Sequence, residues 1–494
     1  MNFAFTFTAV SIISSYSIGY VTSLQVGGPV VMVWCWVIGS FFTILVGAPM
    51  AEICSTYPSA GSVYHWAGQL AKKERAPFAS YMTGWFNFLG NAAGDAAFAS
   101  GFASCIASAV ALNPDLNQLD TNAQVGIAIA ILFGWSVFNC MNIKHQGYIS
   151  TFAAIYQVLS SIIMVIVVLA GTPLAERATG EWVFTYFNET GWEVNGYVVV
   201  IGLLNTLFSF SGYEAGGHIA EETMGARVAA PRGILGCCLV AAVLGFIYIV
   251  GLLFATPMCN SFEGEPLSNC TGSITSVYSL GGTNTPQGLA LTGLLVVNLF
   301  FAGTSSITVT TRIGYAMARD GAFPFSKPLS WIFQPTKVPL TMVWFVFVVD
   351  CVLILIQLGS TAAFTSILSI CTIGFQISYA IPIFLRVTGA RNTFKQSAFN
   401  LGRFSHVIGW ISAIWLFFTS CIFFWPTYAP VNADDMNYTI VIVGGTVIIA
   451  VFFWFVAARK YFRGPKRGDE TEESSQVALE ERKVEENPQG DQTI

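Results

Sequence analysis

Charge is what this sequence of 494 residues has least of: 10% of its residues are Asp, Glu, Lys or Arg, against roughly 25% in soluble domains. That scarcity argues against a soluble enzyme and a disordered chain. The net charge of −5 leaves no basic footprint for a phosphate backbone, so no nucleic-acid partner is expected. Histidine is scarce too, with four in the chain, and no His, Cys and acid spacing resembles a metal site. No phosphate-binding loop or nucleophile motif is present, and no enzymatic activity is expected. What is there is apolar: 54% of residues are hydrophobic. The composition is that of an all-α membrane protein with many spans.

A helix crossing the hydrocarbon core needs about 20 mostly apolar residues. Twelve segments qualify, near 4–25, 29–52, 79–111, 124–141, 148–170, 197–219, 233–257, 288–311, 338–358, 362–385, 406–425 and 437–458. The third is too long for one straight span, so it is expected to tilt or to extend past the bilayer. Lysine and arginine in the connections set the orientation. Of the 22 basic residues, all but Arg177 fall on one side of a twelve-span topology, which places the C-terminus in the cytosol. The sequons at Asn188, Asn269 and Asn437 all fall on the opposite face. Asn188 and Asn269 are candidate glycosylation sites, whereas Asn437 lies too near the bilayer. An integral multi-pass protein of the plasma membrane or an endomembrane is expected.

Nine of the 11 cysteines lie in or beside apolar segments and read as small packing residues. Cys259 and Cys270 share one outer loop and are candidates for a disulfide in an oxidising compartment. Met1 and Asn2 run straight into the first segment without the positive stretch of a signal peptide. The expected membrane domain covers residues 2–463. Residues 464–494 are acidic and read as a disordered cytosolic tail, with Ser474 and Ser475 as phosphorylation candidates.

Inside a bilayer every backbone polar group needs an internal partner, so a broken helix is tolerated only in protein or beside a water-filled cavity. Two segments look breakable. The first carries Ser11-Ile-Ile-Ser14-Ser15-Tyr16-Ser17-Ile-Gly19, and the sixth carries Ser209-Phe-Ser211-Gly212-Tyr213-Glu214-Ala-Gly-Gly217. Both are rich in hydroxyls or glycine and poor in strong helix formers. Small residues also serve plain helix packing. The two breaks sit at matching places, opening the halves of a five-plus-five inverted repeat, 4–170 and 197–385, with two peripheral helices over 406–458. Paired interruptions of this kind point to a transporter's binding site. Free N–H groups at one half-helix suit a carboxylate, and free carbonyls at the other suit an ammonium or a cation.

Ionisable groups within the spans are functional candidates by default. Glu214 reads either as a partner for a substrate amine, as a protonatable coupling group, or as a cap for the half-helix after it. Asp95, amid small residues, reads as a substrate or cation contact or an interhelical hydrogen bond. Asp350 lies outside the expected core and reads as a structural or oligomer contact. Glu52 is expected to contact backbone or a loop arginine, and His218 to be a satisfied polar residue.

These residues resemble a known family. Asn2-Phe-Ala-Phe5 with Gly27-Gly-Pro-Val30, Met50-Ala-Glu-Ile-Cys-Ser55 with Tyr57-Pro58, and Ser211-Gly-Tyr-Glu214 with His218 and Glu221-Glu-Thr223 are similar to motifs of the amino acid/choline transporter family. So are Pro231-Arg-Gly-Ile234, Arg312-Ile-Gly-Tyr-Ala316 with Ala318-Arg-Asp-Gly321, and Tyr379-Ala-Ile-Pro382 with Arg386. That family lies within the amino acid–polyamine–organocation superfamily, and the chain most resembles its eukaryotic bidirectional amino-acid and GABA permeases. The resemblance implies a LeuT-type fold working by alternating access. It implies a small amino-acid substrate held by Ser14, Ser15, Ser17, Asp95, Ser211, Gly212, Tyr213, Glu214, Thr304 and Ser305. No cofactor is implied beyond a coupling ion, Na+ or H+. Some superfamily members carry a lysine in the fifth span, and residues 147–170 here have none. Relatives have glycine where Ser14-Ser15-Tyr16 stands. Neutral amino acids and GABA are the expected substrates, with choline or a polyamine as alternatives. A receptor that binds without transporting is the alternative of another class.

Overall fold

A computed structural model describes residues 2–113, 115–141, 143–174, 177–187, 192–256, 274–280, 285–359, 363–427, 431 and 436–465. Asn188, Asn269, Cys259, Cys270, Ser474 and Ser475 lie outside the described residues. Nine cysteines are described and all are free thiols.

Among the described residues the chain is helical, apart from one isolated bridge between Phe333 and Val338. Eleven helices are long and apolar enough to cross a membrane. The first segment is not among them, because it is divided into α1 (Asn2–Val10), α2 (Ile12–Ile18) and α3 (Tyr20–Gln25). There follow α4 (Gly28–Thr56), the short α5 (Ser62–Leu70), α6 (Ala76–Ala111), α7 (Thr121–Asn139) and α8 (Ile143–Gly171). After α9 (Gly180–Thr185), the sixth segment is split into α10 (Asn195–Phe210) and α11 (Ala215–His218). The chain continues through α12 (Ala226–Ala255), α13 (Ile274–Leu280), α14 (Thr285–Arg319), α15 (Ser326–Leu329), α16 (Leu340–Leu355), α17 (Ala363–Val387), α18 (Ser405–Ile422) and α19 (Thr439–Phe453).

Several helices outrun their apolar windows. The segment expected over 288–311 extends to Arg319, and the one expected from 233 begins at Ala226. Polar turns bearing Arg227, Arg232 and Arg312 remain helical beyond the apolar stretch, and hydropathy does not register them. The 36 residues of α6 rise about 54 Å, well beyond a hydrocarbon core of about 30 Å.

The broken elements lie at the centre. α1 packs on α8, α12 and α14; α2 packs on α6, α10 and α14; α10 also meets α17. The tightest helix contact is between α6 and α17. A Cβ on Gly374 would stand 2.7 Å from Gly90 Cα and 2.8 Å from the Phe86 carbonyl oxygen, so the two backbones touch, as small residues allow in membrane helices. Outward faces are apolar: Ile155, Leu159, Ile162 and Ile166 on α8, and Val441, Ile448 and Ile449 on α19, are exposed. Such a surface suits lipid.

Candidate functional site

The first break is a single residue. Ser11 takes a left-handed conformation (φ 43°, ψ 58°) between α1 and α2. Its N–H still reaches the Phe7 carbonyl at 2.9 Å, and Ser15 N–H reaches the Ser11 carbonyl at 2.9 Å. The groups this kink disturbs are met from another helix. The Gln157 amide of α8 accepts from Ile12 N–H at 3.1 Å and from the Ser11 hydroxyl at 3.0 Å, and donates to the Phe7 carbonyl at 3.2 Å. Ser15 Oγ returns to the Val10 carbonyl at 2.7 Å. Ser17 Oγ bonds the Ile13 carbonyl and the Tyr248 hydroxyl, each at 2.7 Å.

The second break is wider. α10 ends at Phe210, Ser211 turns extended (ψ 143°) and Gly212 adopts φ 90°, which favours glycine. Gly212 N–H donates to the Tyr379 hydroxyl at 3.1 Å. That hydroxyl in turn donates to Glu214 Oε2. Asn87 Nδ2 donates to Glu214 Oε1 at 3.0 Å, and His218 Nε2 lies 4.0 Å from the same oxygen. Glu214 is fully buried. Its carboxyl thus ties the broken element to α6 and α17. The same His218 donates through Nδ1–H to the Ala60 carbonyl, 2.9 Å away.

A narrow cavity lies between the two breaks. Ser15, Asn91, Gly94, Ser211, Gly212 and Ser306 give it polar or backbone surface, and Phe98, Phe208, Phe375, Val309 and Cys371 give it apolar surface. The volume open to water is about 20 Å³, room for about one water. One end is plugged by Phe5, Ala215, Ile219 and Val309, with Ala9 against them. The Arg312 guanidinium sits over the Phe5 ring at 5.9 Å and donates to the His218 carbonyl at 3.1 Å. Beyond that plug a larger space of about 180 Å³ is lined by Asn139, His218, Thr308, Thr311, Arg312 and Val343, among others. At the other end Ile18 fills the space a Cβ on Gly101 would need, and Asn205 does so at Gly19.

Of the ten residues expected at a binding site, Ser15, Ser211 and Gly212 line this cavity. The others stand around it. Ser14 Oγ is buried without a hydrogen-bond partner. Tyr213 packs its ring on Tyr379, centroids 5.0 Å apart. Thr304 bonds its hydroxyl to the Phe300 carbonyl, and its own carbonyl accepts from Asn139. Ser305 is buried. Asp95 accepts from the Thr310 hydroxyl at 2.6 Å. Asp350 is fully buried; it faces into the bundle, which corrects the reading of it as an oligomer contact. Glu52 pairs with Arg386 at 3.8 Å and accepts from Leu401 N–H and Ser405.

Sequence reasoning missed Gln157, Asn87, Asn91 and Tyr379. The signal for three of them was present as lone amides in otherwise apolar runs, at Ile155-Tyr-Gln157-Val-Leu159 and in Phe86-Asn87-Phe88-Leu-Gly-Asn91. An amide within a membrane helix needs partners for its donors and acceptor, as a carboxyl does.

The family model for amino acid permeases matches residues 2–448. The chain is 37% identical to the amino-acid permease BAT1 of Arabidopsis thaliana, over 94% of this chain and 92% of that protein. It is 34% identical to a BAT1 homolog of rice, over 94% and 91%. An uncharacterized amino-acid permease of Schizosaccharomyces pombe is 29% identical, over 94% and 85%.

Proposed function

The chain belongs to the amino acid permease family, and we propose that it carries neutral amino acids, GABA among them, by alternating access through the cavity between its two breaks. The observation that carries this reading is the composition of that cavity: two interrupted helices with serine hydroxyls and no carboxylate among its described lining residues. Backbone groups at the breaks suit the two ends of a zwitterion. Phe98, Phe208 and Phe375 suit an uncharged side chain. A polyamine needs acids in the wall, and the two acids nearest, Asp95 and Glu214, are turned into other contacts. Choline would favour the tyrosines Tyr16, Tyr20 and Tyr213 by cation–π contact, and these do not line the cavity.

On this reading the broken first segment, Asn2–Gln25, is a twelfth span beside the eleven unbroken or once-broken ones. The two breaks belong to the two halves of an inverted repeat of LeuT type, 4–170 and 197–385, and α18 and α19 are peripheral. The basic residues at the Arg227, Arg312 and Arg386 ends then put those ends, the Phe5 plug and the C-terminus in the cytosol. The narrow cavity, with the Phe5 cluster on its cytosolic side, is read as an occluded state. Ser15, Ser211 and the Gly212 backbone touch the substrate. Glu214 holds the second break in shape through Asn87 and Tyr379.

Counterflow in proteoliposomes tests this reading. Vesicles are loaded with one unlabelled amino acid at a time, or GABA, choline or putrescine, and entry of the labelled compound is followed. Saturable counterflow of neutral amino acids or GABA is the expected result. Counterflow of choline or putrescine alone overturns the substrate assignment. Binding without any flux overturns transport in favour of a receptor.

A further inference from the structure

Two carboxylic acids that the sequence separates by more than half the chain are buried together outside the cavity lining. Asp95 on α6 and Asp350 on α16 are both at 0% exposure. α6 and α16 pack on each other, and the Phe88–Phe345 ring contact and the Gln357–Ser100 hydrogen bond, one on either side of the acids, set Asp95 and Asp350 at about the same level. Their hydrogen bonding is incomplete in a particular way. Asp95 Oδ2 accepts from the Thr310 hydroxyl at 2.6 Å, and the Ser306 hydroxyl adjoins the same carboxyl. Asp95 Oδ1 has no partner, and neither oxygen of Asp350 has one. Asp350 shares its buried helix face with Val343, Val346, Leu353 and Ile354, which offer it nothing polar.

No described Lys, Arg or His pairs with either carboxyl within 4.0 Å. Arg312, two residues from Thr310, is turned to the His218 carbonyl and the Phe5 ring. The other titratable groups facing the pair are thiols: Cys371 on α17, which feels Asp95, and Cys351 on α16, which feels Asp350. Two ionised carboxylates buried on packed helices, with no cation and three open oxygens, carry a cost of desolvation and repulsion. One proton removes most of it, because a protonated carboxyl is neutral and no longer repels its neighbour.

Residues beside the pair line both spaces. Gly94, beside Asp95, and Ser306, which adjoins it, line the central cavity. Thr311, next to Thr310, and Val343, two turns from Asp350, line the larger space past the Phe5 plug. Thr311 Oγ1 is itself buried without a partner. The geometry points to the Asp95–Asp350 pair as the proton-coupling site of this transporter, holding one proton between two carboxyl groups and exchanging it with water of the larger space. This inference rests on the proposed transport. Asp350 carries the proton, and the Thr310 and Ser306 hydroxyls favour the ionised form of Asp95. Gain of that proton takes the pair from two negative charges to one, and its release to water restores them. A sodium ion fits less well, because Asp350 is surrounded by hydrocarbon and the pair's few oxygens do not make a coordination shell.

The test uses the full chain in proteoliposomes, with a neutral amino acid as labelled substrate. Wild-type protein is expected to accumulate it against its gradient when a pH gradient is imposed, and not under a sodium gradient at equal pH. In Asp350→Asn, which keeps the shape and a donor, accumulation driven by the pH gradient is expected to fall at least tenfold more than counterflow at equal pH. Asp350→Leu serves as a second variant with no donor. Accumulation under sodium alone, counterflow with no response to either gradient, or an Asp350→Asn protein still driven by pH each overturns the inference. If no compound moves at all, the transport reading fails, and the infrared C=O band of a protonated carboxyl in the purified protein decides on the pair alone. That band is expected in wild type at neutral pH and absent in Asp350→Asn. An identical band in both overturns the proton site.

Discussion

Replacing Gln157 by methionine, a side chain of similar size, isolates the polar service this amide renders to the break at Ser11. Three groups lose their partner: Ile12 N–H, the Ser11 hydroxyl and one lone pair of the Phe7 carbonyl. The Phe7 carbonyl keeps Ser11 N–H at 2.9 Å, so its loss is small. A buried N–H left unmet costs about 1–3 kcal/mol, and the hydroxyl adds about 1 kcal/mol, giving a total of about 2–4 kcal/mol. The control is Gln376→Met. That amide accepts from the Thr419 and Ser420 hydroxyls, which keep their bonds to the Trp415 and Leu416 carbonyls. Its removal leaves no backbone group unmet and is expected to cost about 1 kcal/mol. Equilibrium unfolding in mixed micelles of rising SDS fraction reads both. Equal costs for the two variants, or a Gln157→Met protein as stable as wild type, would refute the idea that Gln157 satisfies the kinked backbone.

Three further outcomes follow from the same contacts. Tyr379→Phe removes the donor to Glu214 and the acceptor of Gly212 N–H; a loss of about 2–3 kcal/mol is expected in the same unfolding measurement, with counterflow lowered because the second break loosens. Gly374→Ala puts a Cβ 2.7 Å from Gly90 Cα and is expected to cost about 3 kcal/mol by forcing α6 and α17 apart, whereas alanine at Gly444, where a Cβ meets nothing within 4 Å, is expected to be neutral. Tyr64 lies on the short helix α5, and its hydroxyl donates to Asp320 at 3.0 Å. Burial, and then the Asp320 carboxylate, push its phenol well above the ordinary value of 10.0. A raised phenol stabilises the fold fully below the unfolded value, and that stability is lost as pH rises above it. Stability measured against pH is therefore expected to fall above pH 10.0 more steeply in wild type than in Tyr64→Phe.

Much of the architecture was legible because hydrocarbon imposes one-dimensional rules. Apolar runs marked every long helix, and serine and glycine at Ser11 and at Ser211–Gly212 marked both interruptions, since these residues tolerate non-helical backbone. The segment ends were less legible: Ala226–Arg232 and Arg312–Arg319 are polar and still helical. Least legible was the direction in which each buried polar side chain points. Helices buried on most sides are apolar all round, so periodicity does not reveal the inward face. Asp95 and Glu214 read as substrate contacts or as structural groups, an interhelical hydrogen bond for Asp95 and a cap for Glu214; Thr310, Asn87 and Tyr379 engage them from other helices. Asp350 read as peripheral because its span is, yet it is fully buried. Gln157 and Ser11 are 146 residues apart, and nothing local in either segment announces the other.

The account's central claim is that substrate passes through the cavity bounded by Ser15, Gly94, Ser211 and Ser306. Gly94→Val tests it most directly, because a Cβ there has Cys371 Sγ at 3.4 Å and Ser306 Oγ at 3.9 Å as its nearest neighbours, so the added methyls enter a space with room for about one water and the helix backbone stays in place. Counterflow of a neutral amino acid is measured for this variant and for wild type, each shown to be folded and monodisperse. The account predicts saturable counterflow in wild type and its loss in Gly94→Val. Undiminished counterflow in the folded variant would contradict it.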